Sequence, residues 1–169
     1  MKVLNIEKYQ QNYIKEGCIS TDSLQESFIN FDKLRLENFS SLRSVDFIKV
    51  DEVKDLIILI EITELLRTLR DLIKRVKKDK MKIRRNSYII AELLKAEYRE
   101  KFFESLFLFQ FLTNVSIKDK KVYFFIVLCD AQKQQVFKFR FLEEFLNSLL
   151  PKNWYCKILL AESFIKKLK

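Results

Sequence analysis

Ser44-Val45-Asp46-Phe47-Ile48-Lys49-Val50, then Asp51-Glu52-Val53-Lys54, then Asp55-Leu56-Ile57-Ile58-Leu59-Ile60-Glu61-Ile62-Thr63 is the stretch whose reading decides the fold. Two apolar runs rich in β-branched residues flank a short polar segment, which predicts two strands joined by a four-residue turn. Pairing Val50 with Asp55 sets Asp46 opposite Leu59 and makes Glu61 its diagonal neighbour. Side chains in a strand repeat every second residue, so both acids share a face. An acid at the end of an apolar strand is costly to bury unless it is paired or binds a cation. Two such acids together predict a divalent-metal site with Asp46 and Glu61 as ligands.

Working outward, residues 5–16 read as a helix capped by Gly17, residues 22–32 as a second helix opened by a capping box, and residues 33–39 as a strand in which Leu34 and Leu36 alternate with Arg35 and Glu37. After the hairpin, helical spacing of Leu65, Leu69, Leu72 and Val76 predicts a long helix to about residue 82, and a second long helix follows to residue 114. Its apolar part, 102–112, is expected to be deeply buried, with the Phe102–Phe111 aromatics in the core. Residues 122–129 read as a central strand. Residues 134–150 read as a helix, although alternation across 136–141 leaves a strand open. Residues 154–160 read as a last strand, with Trp154 and Tyr155 in the core or at an edge, and 161–169 as a short basic helix. The interleaved order predicts an α/β (α+β mixed-sheet) fold in a single domain, 1–169, with a long helical pair between the third and fourth strands.

Composition excludes much. One glycine and one proline rule out Gly-rich phosphate loops, and the absence of histidine removes His-based nucleophile systems and His-containing zinc sites. Cys18, Cys129 and Cys156 are odd in number and far apart, so they predict no disulfide framework, with Cys129 a buried thiol in a reducing, cytoplasmic setting. No leader-like segment and no apolar run of membrane-spanning length is read, so no membrane partner is expected. Residues 1–64 carry 8 basic and 12 acidic side chains, a net of −4; residues 65–169 carry 24 and 11, a net of +13. That asymmetry predicts a polyanionic partner, nucleic acid, met by Arg67, Arg70, Lys74, Arg75, Lys77 and Lys78 on the first long helix.

The element order, with Asp46 and Glu61, resembles the PD-(D/E)XK nuclease-like superfamily, whose core is a helix, a three-strand meander, a helix and a further strand. The resemblance implies a restriction-endonuclease-like core and a Mg²⁺-dependent phosphodiesterase site. It matches Asp46 to the acid of the second strand and Glu61 to that of the third. The family's lysine position is Thr63, so the element reads Glu61-Ile62-Thr63. Lys49 has the wrong strand parity and Lys54 sits at the far turn. Arg67, one helical turn on, is the cation expected to approach, and Glu26 is a candidate additional acid. The expected function is a nucleic-acid-associated protein of this fold, a metal-dependent nuclease with weakened or lost activity. The competing reading is a non-catalytic interaction or assembly subunit, with a protein partner or a homo-oligomer docked on the long helices.

Overall fold

The computed structural model describes residues 6–21, 24, 27–78 and 83–168, with the backbone alone for 75–78, 83–87 and 168. Its centre is a mixed six-stranded sheet built from β1 (Gln10–Gln11), β4 (Phe28–Asn30), β5 (Phe47–Asp51), β6 (Leu56–Thr63), β7 (Lys121–Leu128) and β8 (Trp154–Leu160), in that spatial order. The pairs β1–β4, β4–β5 and β5–β6 are antiparallel; β7 and β8 continue from β6 in parallel. Two strands, β2 (Ile14–Glu16) and β3 (Ile19–Thr21), form a separate hairpin. The helices are α1 (Phe31–Asn38), α2 (Leu65–Lys78), α3 (Ile83–Thr113), α4 (Arg140–Leu149) and α5 (Ala161–Leu168). A 3₁₀ segment, Lys133–Phe139, leads into α4, so the helical reading of this region is the one adopted.

The unbroken apolar run of β6 belongs to a strand covered on both faces. On one face Ile57 and Leu59 join Phe124 and Ile126 of β7 beneath Leu94, Tyr98, Phe102 and Leu106 of α3 and Leu142 of α4. On the other, Ile60 and Ile62 join Val127 beneath Ile14 and Ile19 of the hairpin and Phe164 of α5. The pair α2–α3 links β6 to β7, as expected. The central hairpin pairs Val50 with Ile57 and Asp51 with Leu56, two residues from the expected register, around a turn at 52–55 in which Asp55 has φ 49°. A shift of two preserves the faces.

The N-terminal region departs from expectation. Only Ile6–Tyr9 form a 3₁₀ turn where a helix over 5–16 was expected, and strand follows. In the stretch expected to be a helix over 22–32, β4 occupies its later part, and 22, 23, 25 and 26, including Glu26, lie outside the described residues. The expected strand over 33–39 is helix α1. Asn30 caps it by accepting the Lys33 N–H at 3.0 Å, and Phe31 and Leu34 bury at helical spacing while Leu36 stays exposed. The aromatic run on α3 is also divided. Phe102 and Phe109 are buried, but Phe103, Phe107 and Phe111, at four-residue spacing on the far side of the helix, are exposed.

Cys18 and Cys129 are joined by a disulfide across 111 residues, tying the β2–β3 turn to the end of β7. This corrects the expectation of unpaired cysteines: two residues distant in sequence meet because the hairpin folds over β6 and β7. Cysteine content therefore gives no argument for a reducing interior. Cys156 is the buried free thiol. No helix among the described residues is long and apolar enough to cross a membrane.

Gly17 sits in the β2–β3 turn with φ +53°, and a Cβ there would lie 3.1 Å from Cys129 Sγ and 3.3 Å from Ile62 Cγ2. Left-handed backbone costs a residue with a Cβ about 1–2 kcal/mol, before any crowding. Gly17→Ala is therefore expected to lower stability by at least about 1 kcal/mol in urea unfolding under non-reducing conditions. An unchanged midpoint would show that the turn relaxes without cost.

Candidate active site

Asp46 immediately precedes β5, and its main chain is held on both sides. Its N–H donates to the Ile60 carbonyl at 3.0 Å, and its carbonyl accepts the N–H groups of Phe31 (2.8 Å) and Asp32 (3.3 Å) at the start of α1. Its Oδ2 accepts the Ile62 N–H at 2.6 Å. Carrying the pair Phe47–Ile60 one residue further puts Asp46 directly across from Glu61, nearer than the expected diagonal. The loop ahead of Asp46 is fastened to α3: Val45 N–H donates to Ser105 Oγ (2.9 Å) and Arg43 N–H to Glu104 Oε2 (2.5 Å).

Glu61 lies inside the sheet between β5 and β7 and is only 3% exposed. Its charge partner comes from α3. Lys101 Nζ donates to Glu61 Oε1 at 2.5 Å and stands 3.9 Å from Glu97 Oε1. Glu61 Oε2 is enclosed and accepts no hydrogen bond from the described residues. Thr63, two residues along the same face, accepts a hydrogen bond from the Tyr98 hydroxyl at 3.2 Å. Asp46, Glu61, Thr63 and Lys101 line one open cleft of about 460 Å³, with Arg35 and Asp32 at its side. Arg35 braces that wall: its guanidinium reaches Asp32, Ser44 and the carbonyls of Ser40 and Leu42.

The cation expected at this site was Arg67. It does not line the cleft; it pairs with Glu64 at 2.9 Å on the exposed side of α2, whose first N–H groups are capped by Asp130. Arg70 and Lys74 are exposed on α2, and the side chains of Arg75, Lys77 and Lys78 lie outside the described residues. Lys101 was missed. A signal existed: Glu97, Lys101 and Ser105 form a polar line at four-residue spacing beside the buried line Leu94, Tyr98, Phe102 and Leu106. A lysine on the core-facing side of a helix calls for a buried acid.

Burial dominates the electrostatics of both acids. Desolvation pushes Asp46 up to about 7, against the Ile62 N–H and Lys101, which favour its ionised form. Desolvation and the Asp46 charge push Glu61 to about 8, with Lys101 opposing. Lys101 is raised, because the Glu61 and Glu97 charges outweigh its own desolvation. Comparison with known protein families, with characterised proteins and with solved structures finds no match to this chain.

An acid whose folded pKa lies above its unfolded value binds the proton more tightly when folded. The stability it contributes is full below the unfolded pKa and is lost as pH rises through the folded one. For Asp46 and Glu61 the window runs from about 4 to 8. In chelator-treated protein the melting temperature is expected to fall between about pH 6 and 8, and Asp46→Asn is expected to flatten that fall. A melting temperature that climbs over this range in the unmodified protein would contradict the burial argument.

Proposed function

We propose that the protein is a metal-dependent nuclease of PD-(D/E)XK-like architecture whose lysine is supplied by a helix instead of the third strand. The observation that carries this reading is Lys101 Nζ on Glu61 in the cleft that Asp46 also lines. The antiparallel run β4–β5–β6, the helical pair and the parallel β7 support the restriction-endonuclease-like core. One departure is that α1 stands inside the meander, between β4 and β5, and not ahead of it.

The donor set fits Mg²⁺. Among the described residues no cluster of three or more acidic or cysteine ligands occurs. Mg²⁺, however, is commonly held by one or two carboxylates together with water and substrate phosphate. Asp46 and Glu61 supply hard oxygen donors, and Glu61 Oε2 is enclosed without a partner. Bound there, the ion would neutralise phosphate charge and acidify a water. Lys101, held protonated by two carboxylates, acts as a donor: it orients the attacking water or a phosphate oxygen and offsets charge that develops in the transition state. It does not serve as a base. Asp46 is fixed by its bonds to Ile62 and Ile60, so its free oxygen is presented to the cleft without side-chain reorganisation. The strongly basic second part of the chain supports nucleic acid as the substrate class.

A second reading, an interaction subunit docked through the long helices, is favoured by the stripe Phe103, Phe107 and Phe111, exposed by 41%, 67% and 49%.

The deciding experiment is cleavage of single- and double-stranded DNA and RNA with Mg²⁺ or Mn²⁺. Asp46→Ala and Glu61→Ala are expected to abolish cleavage. Lys101→Ala is expected to lower it by about 10²–10³-fold, the usual cost of removing one preorganised charge-stabilising donor. Moving the lysine, in Lys101→Ala/Thr63→Lys, is expected to restore part of the rate, because position 63 shares the face of Glu61. Cleavage that Lys101→Ala leaves unchanged would overturn the assignment; circular dichroism of each variant separates loss of chemistry from loss of fold.

A further inference from the structure

A second concavity lies on the opposite face of the sheet. In the parallel register of β7 and β8, Tyr123 sits beside Tyr155 and Phe125 beside Lys157. These residues have the parity of Val127 and Leu159, which face the hairpin and α5, so they point away from the Glu61 cleft. α5 covers only part of this surface: Phe164 packs on Phe125 with ring centroids 6.3 Å apart. Beyond it Tyr123 and Tyr155, 6.1 Å apart, border an open pocket of about 750 Å³. That volume lies within the usual range of ligand sites, about 300–1,000 Å³.

The composition of this pocket is selective. Its charged lining residues are four lysines, Lys121, Lys152, Lys157 and Lys167, with no carboxylate among them. Lys157 is engaged by Glu143, which reaches round the sheet edge and also takes the Ile158 N–H. Lys167 lies over the Phe125 ring at 5.8 Å. Lys121 and Lys152 are exposed. Between these charges the wall is aromatic: Tyr123, Phe125 and Tyr155. A solvated face of an ordinary domain mixes charge signs. This one pairs a single sign with ring surfaces, the two chemistries that a single strand of nucleic acid offers as phosphate and base.

We propose that this face is a binding site for single-stranded nucleic acid. Bases stack on Tyr155 and Tyr123, and phosphates are held by Lys121, Lys152 and Lys167. The site stands apart from the carboxylate cleft and needs neither metal nor a competent Lys101, so it holds whether or not the cleft cuts.

Trp154, the sole tryptophan, has the parity of Val122 and packs on Phe102 of α3, so a label on the ligand is the direct reporter of this pocket. The full chain is titrated in EDTA into a fluorescein-labelled twelve-residue oligothymidylate while fluorescence anisotropy is followed. A saturable rise is expected. With three lysines free to meet phosphate, log K should fall against log salt with a slope of about −2. Tyr155→Ala is expected to weaken binding roughly tenfold, the scale of one lost base–aromatic stack. Lys121→Ala/Lys152→Ala is expected to weaken it and flatten the salt slope. Glu61→Gln is expected to bind as the unmodified protein does, which separates this site from the cleft. The three substituted lysine and tyrosine positions are exposed, and melting curves confirm folding of every variant. The proposal is overturned if anisotropy does not change, if Tyr155→Ala binds normally, or if polyglutamate competes as well as the oligonucleotide. The last result would mark an unselective surface for acidic peptides.

Discussion

A carboxylate inside a sheet must find a cation, and the placement of α3 follows from that need at Glu61. Glu61 occupies a central strand with β5 on one side and β7 on the other, so solvent cannot serve it. Lys101 crosses over it, and the same helix sets Tyr98 on Thr63, Ser105 on the Val45 N–H and Glu104 on the Arg43 N–H. These contacts are directional and one turn apart, and they index the helix along the meander. Leu94, Phe102, Leu106 and Phe109 supply apolar burial but would tolerate a slide of a few ångströms. The loop that carries Asp46 is fixed by the same helix, so both acids and the lysine depend on one packing arrangement.

Such a pair is poor value as a stabilising device. Desolvating two charges commonly costs as much as their attraction returns, and an apolar replacement of similar shape is often neutral or better. The acids here are raised to about 7 and 8, which is the mark of groups kept in an environment hostile to their charge. Strain of that kind collected in a cleft, with one carboxylate oxygen unpartnered, is characteristic of groups arranged for a ligand.

The elements that sequence reveals here are those whose signal is local. The β-branched apolar run of β6, the 3.6-residue spacing of α2 and the apolar run of β7 each need no partner to be recognised. The pairing of Asp46 with Glu61 survived a register error because an offset of two leaves faces unchanged. The misreadings share a different cause. Leu34 and Leu36 alternate like a strand, yet the Asn30 cap and the burial of Phe31 with Leu34 decide for helix. Gly17 looks like a helix cap but closes a hairpin whose partner, Cys129, lies 112 residues along the chain. Lys101 acts 40 residues from Glu61, and a lysine beside a run of phenylalanines reads as an interruption until the sheet beneath it is known.

The two faces of the sheet differ in charge, and this constrains how a polyanion can approach. The cleft face places Asp32, Asp46, Glu61, Glu64 and Glu97 against Arg35, Arg43 and Lys101, and all three of those cations are already committed to acids. When ionised and without a divalent ion, these acids disfavour an incoming phosphate. The pocket on the opposite face is lined by lysines with no carboxylate among its lining residues. Exposed charges act over about 8–10 Å at physiological salt, and a sheet with side chains on both faces is thicker than that, so each face sets its own local potential. On the proposed function, a strand of nucleic acid would meet the lysine face first and would enter the cleft once a cation had offset its carboxylates. A metal held by Asp46 and Glu61 would then control entry as well as chemistry, a division of labour that a site with its lysine on the strand and a uniformly basic surround would not need.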